Sequence, residues 1–428
     1  MNELKKTLGV FRGTALMLNI VLGAGLFSIP GLAFQQVGNN AIWVWLSCAC
    51  ASVPLLVVFA LIASRFPDAG GISTVVGNAF GQKGYTVCTY LFLGAVFLGL
   101  PAICLTGGFY AAKIIPISPY FLSLIILILG VVVNVLSSDM AGRVNSIVAS
   151  SLVIILTIMI IFGGLYVYTL PAINKMHSSV FVMSQSVSTF IMVFFAFTGW
   201  EIGSSLSEEF KNPKRDLPIA IGLSFCIALT FYFSLAWIVQ ESNIDSEFSS
   251  PFGYILSKAY GSQAGTIISL VAIIIIFSNI SSATWGVSRM VLSSARNGLL
   301  PKKFTVIANG TPYNSVIFVT FSLIIVILCA QLGFISLERM LEFSGQNFII
   351  IYALASISLL KNSSNKVDKL ISILALIVVF SILALRNPID LLYPSLLVIL
   401  ALFVDLTLTK FGLINKSRDN NKSTLNKN

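Results

Sequence analysis

The sequence predicts an all-α polytopic membrane protein with 12 transmembrane helices, ten of them in a 5+5 inverted repeat with discontinuous helices 1 and 6. Composition is the first observation behind that expectation. Of 428 residues, 57% are apolar and only 10% charged, whereas soluble domains carry about 25% charged residues. The mean hydropathy is +0.94. The second observation is the form of the apolar segments. They are long and continuous rather than alternating over about ten residues, which selects membrane helices over a barrel. The third is a pair of flaws. The first stretch, 13–34, carries no charge yet holds Gly23, Gly25 and Pro30, and the stretch five spans later holds Thr198, Gly199 and Gly203. Glycine costs about 1 kcal/mol inside a helix, and proline removes a donor. Both are expected where a membrane helix unwinds and offers bare backbone groups to a ligand.

Twelve spans follow in order, at roughly 13–34, 41–64, 85–112, 119–137, 144–168, 184–206, 217–240, 262–288, 313–332, 340–360, 369–386 and 389–409. Nearly all have the length, about 20 residues, that crosses a bilayer. No linker interrupts them. The expected organisation is a cytoplasmic N-terminus over 1–12, one membrane domain over 13–410, and a disordered cytoplasmic tail over 411–428. The two repeats run roughly 13–168 and 184–360, with helices 11 and 12 outside them. Five spans per half is an odd number, so the second half is inverted relative to the first.

Loop charge gives the orientation. With the N-terminus inside, 21 of the 26 lysines and arginines fall on inner segments and 5 on outer ones, namely Lys113, Lys175, Lys258, Arg339 and Arg386. That split follows the positive-inside rule. The net charge of +10 is scattered over short loops and the polar tail. It therefore calls for anionic lipid rather than nucleic acid. All 6 cysteines lie within spans, and the single histidine, His177, lies in an outer loop. No metal-ligand spacing and no catalytic constellation is visible, so the sequence implies neither enzyme, metal nor cofactor.

The two flawed spans have a shared chemistry. Unwinding leaves half-helix N-termini partly positive and C-termini partly negative. A zwitterionic amino acid has one group for each. Its carboxylate fits the amides near Gly23, Ala24, Gly25 and Leu26. Its ammonium fits carbonyls near Phe195, Phe197 and Thr198, and near Asn19 and Ile20. Leu22, Leu26, Phe195, Phe197 and Trp200 make the expected pocket apolar and aromatic. Close helix packing at glycine is the competing explanation for each break taken singly.

Three loop motifs add a resemblance. Arg65-Phe66-Pro67-Asp68-Ala69-Gly70-Gly71 follows span 2. Glu208-Glu209-Phe210-Lys211-Asn212-Pro213-Lys214-Arg215-Asp216-Leu217-Pro218 follows span 6. Ser288-Arg289 through Ala295-Arg296-Asn297-Gly298-Leu299-Leu300-Pro301 closes span 8. With Gly23-Ala24-Gly25-Leu26-Phe27, these resemble the amino acid–polyamine–organocation (APC) transporter family. Within it, Gly38-Asn39-Asn40 before Trp43 and Trp45, and Gly99-Leu100-Pro101-Ala102, are similar to bacterial exporters of methionine and branched-chain amino acids. The resemblance implies a LeuT-like fold and secondary active amino-acid transport by alternating access. It implies a bacterial inner (plasma) membrane location with both termini cytoplasmic. It also implies the α-carboxylate at the Gly23, Ala24, Gly25 and Leu26 break, and the α-amino group at Phe197, Thr198, Gly199 and Trp200. Physically, Pro213 and Pro218 stop span 6 from continuing, and Gly70-Gly71 permits a tight turn.

Glu201 is the acid set deepest within a span. An ionised carboxylate there is costly unless partnered. It is read either as a coupling and gating residue linked to proton movement, or as a structural carboxylate held by hydroxyls or freed N–H groups. Span 5 has no lysine to replace a sodium ion, and Ser281 and Ser282 of span 8 could supply oxygens to one. Proton coupling is the expectation and Na⁺ the alternative. With no other strong charge among spans 1, 3, 6 and 8, a neutral hydrophobic substrate (Leu, Ile, Val or Met) fits best. Export is implied by the resemblance alone. The alternatives are a cationic amino acid or polyamine exchanger, with Glu201 as cation partner, and a non-transporting membrane sensor. The expected partners are the amino acid, H⁺ and the bilayer, in a monomer or homodimer.

Overall fold

The computed structural model describes residues 9–22, 25–65, 71–136, 138–170, 183–201, 210–307 and 311–410. Gly23, Ala24, residues 66–70, His177, Glu208, Glu209 and the tail over 411–428 lie outside them, as do the side chains of Asn19 and Ile20.

Where the sequence predicts span 1, two helices stand in series: Val10–Leu22 (α1) and Gly25–Val37 (α2). Pro30 lies inside α2 and deprives the Leu26 carbonyl of its helical donor. Ala41–Arg65 (α3) is span 2. Gly71–Ala112 (α4) is longer than span 3, and Gly81 divides it at φ +73°. A short helix therefore precedes the span, which the sequence reading did not separate. Pro119–Leu136 (α5) and Ser138–Thr169 (α6) are spans 4 and 5.

Met183–Phe194 (α7) is the first half of span 6. Pro213–Glu241 (α8) is span 7. It starts four residues earlier than predicted because Pro213 takes its first turn, where a missing N–H costs nothing. These prolines open span 7; the expected end of span 6 lies outside the described residues. Pro251–Tyr260 (α9) is a second short helix, ahead of span 8 at Ser262–Arg296 (α10). Tyr313–Gln331 (α11), Leu337–Asn362 (α12), Lys366–Ala384 (α13) and Leu392–Lys410 (α14) complete the chain. The Ser336 hydroxyl caps α12 by accepting from the Arg339 N–H, and the Asn365 side chain caps α13 by accepting from the Val367 N–H. Among the described residues, nine helical stretches are long and apolar enough to cross a membrane.

The helices pack in two groups. α1, α2, α3, α7 and α8 contact one another, and α4, α5, α10 and α11 contact one another. α12 lies between, against α4 on one side and α7 and α3 on the other. In lipid every buried hydroxyl must find a partner in the protein. Many close on their own helix: Thr14 donates to the Val10 carbonyl, Ser52 to Cys48, and Thr284 to Ile280. Others reach between helices, among them the hydroxyls of Tyr110, Tyr232 and Tyr352 near the breaks.

Candidate substrate site at two helix breaks

Span 6 breaks between Phe197 and Trp200. α7 tightens into a 3₁₀ turn over Phe195–Phe197, and Thr198 is then extended at φ −103° and ψ 171°. Gly199 follows at φ +110°, a conformation closed to side chains at low cost. The Thr198 hydroxyl donates back to the Phe195 carbonyl at 2.8 Å. The helix resumes at Trp200. Glu201 reaches back from the new turn, and its carboxylate oxygens accept from the Gly199 N–H at 3.0 and 2.9 Å. The carboxylate thus satisfies an N–H left free where the helix restarts. The Tyr352 hydroxyl of α12 donates to the same carboxylate at 2.9 Å. Glu201 is thus buried and partnered, and it ties the second half of span 6 to span 10.

The first residue of α2 meets the span 6 break directly. A β-carbon at Gly25 would lie 3.3 Å from the β-carbon and 3.4 Å from the α-carbon of Ala196. The absence of a side chain at Gly25 lets the two backbones approach this closely. Tyr232 of α8 stands between the two. Its hydroxyl is 3.2 Å from the Val21 carbonyl oxygen and 2.5 Å from that of Ala196. The span 1 backbone is tied on its other side as well. The Tyr110 hydroxyl of α4 donates to the Phe27 carbonyl at 2.9 Å, and the Thr106 hydroxyl donates to Ser28 Oγ at 3.0 Å.

The electrostatics follow from the helix ends. α1 and α7 present carbonyls, whereas α2 and the resumed span 6 present N–H groups. Of the two positive ends, Glu201 already serves the one at Gly199. The first N–H groups of α2, at Gly25 and Leu26, form the other.

The structure divides the predicted aromatic set. Phe197 packs on Tyr232 at 5.1 Å, Trp45 at 5.9 Å and Phe225 at 6.4 Å, and Trp200 packs edge-on to Phe225 at 6.0 Å. These rings back the break from the α3 and α8 side. Phe195 turns the other way, toward Phe348 of α12 at 6.4 Å and toward Gly99 of α4. Leu22 and Leu26 are fully buried. The Ser282 hydroxyl donates to the Ser278 carbonyl one turn back, and the backbone at Ser281 faces Gly130 of α5. A groove of about 470 Å³ lies elsewhere, at the Asn40 end of α3, between Trp43, Phe190, Ile382 and Leu385. Its lining carries no charge and no break residue.

Tyr232, Tyr352 and Trp45 were missed in the sequence reading of the site. Trp45 is fully buried against the Tyr232 ring at 5.3 Å. Phenol hydroxyls inside apolar spans were the available signal, because lipid gives such a group no partner.

A membrane domain of packed helices, with span 6 interrupted at Thr198 and Gly199 and Gly25 of α2 set against Ala196, defines the class. The chain belongs to the amino acid permease family, whose model matches residues 8–408. Among its relatives, an uncharacterized amino acid permease of Bacillus subtilis, YecA, is 27% identical over 310 residues, covering 71% of this chain and 72% of the relative. The L-methionine/branched-chain amino acid exporter YjeH of Escherichia coli is 24% identical over 367 residues, covering 84% and 86%. A cadaverine/lysine antiporter of Escherichia coli is 23% identical over 317 residues, covering 72% and 71%.

Proposed function

We propose that this permease is a secondary active transporter that exports neutral hydrophobic amino acids (Leu, Ile, Val or Met) by alternating access, coupled to protons. The observation that carries the reading is the contact of Gly25 with Ala196, with the Tyr232 hydroxyl on the carbonyls of both breaks. It gathers donors and acceptors for a zwitterion within one small volume. The substrate carboxylate takes the N–H groups at Gly25 and Leu26, and Gly23 and Ala24 complete that loop. The ammonium takes the carbonyls of Val21 and Ala196, beside Phe197 and Thr198. An apolar surround selects a side chain without charge, and the likeness to an exporter of methionine and branched-chain amino acids supports the same choice.

The twelve-span count treats α1 with α2, and α7 with the helix resumed at Trp200, as two interrupted spans. The short helices before Gly81 and at α9 fall between the second and third spans of each half, which supports the 5+5 repeat. In this reading the group of spans 1, 2, 6 and 7 rocks against the group of spans 3, 4, 8 and 9. The domain covers 13–410, with both termini on the cytoplasmic face of a bacterial inner membrane. Proton coupling rests on Glu201, whose carboxylate joins the moving span 6 to span 10. Sodium stays the alternative, with Ser281 and Ser282 as its oxygen donors.

Radiolabelled leucine or methionine flux in reconstituted vesicles tests the reading, with pH and Na⁺ gradients imposed in turn and arginine as competitor. Leucine flux driven by a pH gradient and indifferent to arginine supports it. Arginine flux with no leucine effect replaces it with cation exchange.

A further inference from the structure

Two carbonyl oxygens, of Val21 and Ala196, converge on one hydroxyl. The Tyr232 oxygen is 3.2 Å from the first and 2.5 Å from the second. Both carbonyls are helix-end groups. Val21 lies in the last turn of α1, and Ala196 lies in the 3₁₀ turn that ends α7. The chain turns extended at Thr198 directly after the Ala196 turn, so no following turn of that helix closes it. A phenol has a single hydrogen to donate, whereas an ammonium has three. The pair of acceptors is therefore under-supplied by its present donor. Tyr232 is held in place: it is 1% exposed, with Trp45 at 5.3 Å and Phe197 at 5.1 Å on its ring. Its hydroxyl also links α8 to the ends of both interrupted spans at once.

We infer that the Tyr232 hydroxyl is the internal stand-in for the substrate ammonium, holding the two breaks together when the site is empty and yielding their carbonyls when an amino acid arrives. The inference rests on the amino-acid reading above and adds a residue to it. It makes Tyr232 a competitor of the substrate. The consequence is opposite to that of a substrate ligand: removing the hydroxyl tightens binding. A neutral hydrogen bond is worth about 1 kcal/mol net, so its loss as a competitor raises affinity roughly fivefold. The empty protein, deprived of the tie between α1 and α7, loses stability.

The test is equilibrium binding of radiolabelled leucine to the purified, detergent-solubilised full chain, comparing wild type with Tyr232→Phe. The expected result is a Kd about fivefold lower in the variant, with a lower Tm for the empty protein. An unchanged or weaker Kd in a folded variant overturns the inference while leaving the amino-acid reading in place. No binding of leucine or methionine to wild type overturns both. If Tyr232→Phe does not fold, 3-fluorotyrosine at position 232 keeps the hydroxyl and reports on it. Its fluorine resonance must move on adding leucine, and an unmoved resonance at saturating leucine overturns the inference equally.

Discussion

Replacing Gly25 with valine pushes the two helix breaks apart. A β-carbon at this position lies 2.7 Å from Ile29 Cδ1, a chain end that can rotate away. It also lies 3.3 and 3.4 Å from Ala196 Cβ and Cα, which are fixed to the span 6 backbone. Alanine asks those atoms to give by a few tenths of an ångström. It returns about 0.4–1 kcal/mol by restricting the unfolded chain, so Gly25→Ala should leave Tm nearly unchanged. Valine adds two more methyl groups at the same contact, and overpacking costs about 1–3 kcal/mol. At about 1.4 kcal/mol per factor of ten, strain borne by the site lowers flux roughly 5- to 150-fold. The assay is the initial rate of leucine uptake into vesicles, normalised to monodisperse protein. Gly222→Ala is the control, because nothing lies within 4 Å of a β-carbon there. Wild-type flux in a well-folded Gly25→Val protein would refute the claim that the touching breaks form the site.

Three other perturbations bear on separate parts of the account. Glu201→Gln keeps the shape of the cap at Gly199 but removes its charge; it should change the pH dependence of transport with protein levels intact, and an unaltered pH profile sinks the coupling role. A double-mutant cycle with Tyr352→Phe should show a coupling of about 0.5–3 kcal/mol, because the two side chains share one hydrogen bond. Arg386 is buried with Glu342 at 2.6 Å and also donates to Ser188 of α7. Arg386→Ala should therefore destabilise the protein by about 3 kcal/mol in a thermal melt, with most of it regained on adding Glu342→Met. In the α8–α9 loop, the hydroxyls of Tyr254 and Ser246 hold the Asp245 carboxyl below its ordinary pKa. That contribution is present above the unfolded-state pKa and is lost as pH falls through the folded one. Tyr254→Phe should move the carboxyl titration upward in a carbon NMR titration.

How far the sequence could be read follows from the range of the interactions. The glycines and proline in the apolar run of span 1 are local signals; Gly23 and Ala24, where the break is expected, lie outside the described residues. The break in span 6 was legible for the same reason at Thr198 and Gly199. Contacts that span the chain were not. Tyr232 meets Val21 across 211 positions, and Glu201 meets Tyr352 across 151. No periodicity records such pairs. Glu201 illustrates the difference. Its burial and the kind of partner, a hydroxyl and a freed N–H, were readable; that Tyr352 supplies the hydroxyl was not. Arg386 was read only as an outer-loop charge, and its burial against Glu342 depends on three helices meeting. The short helix over 71–80 was missed because it is too short to register as a span; the structure sets it off from span 3 at the positive φ of Gly81.

The central claim is that backbone groups at two breaks recognise both ends of an amino acid. The most direct measurement is displacement of radiolabelled leucine from the purified protein by three competitors. Methionine keeps both end groups, leucinamide lacks the carboxylate, and 4-methylpentanoate lacks the ammonium. Displacement by methionine, with the other two weaker by about tenfold or more, is the predicted result; each lost charge-assisted contact is worth about 1.5–3 kcal/mol. Leucinamide and 4-methylpentanoate displacing leucine as well as methionine does would contradict the account.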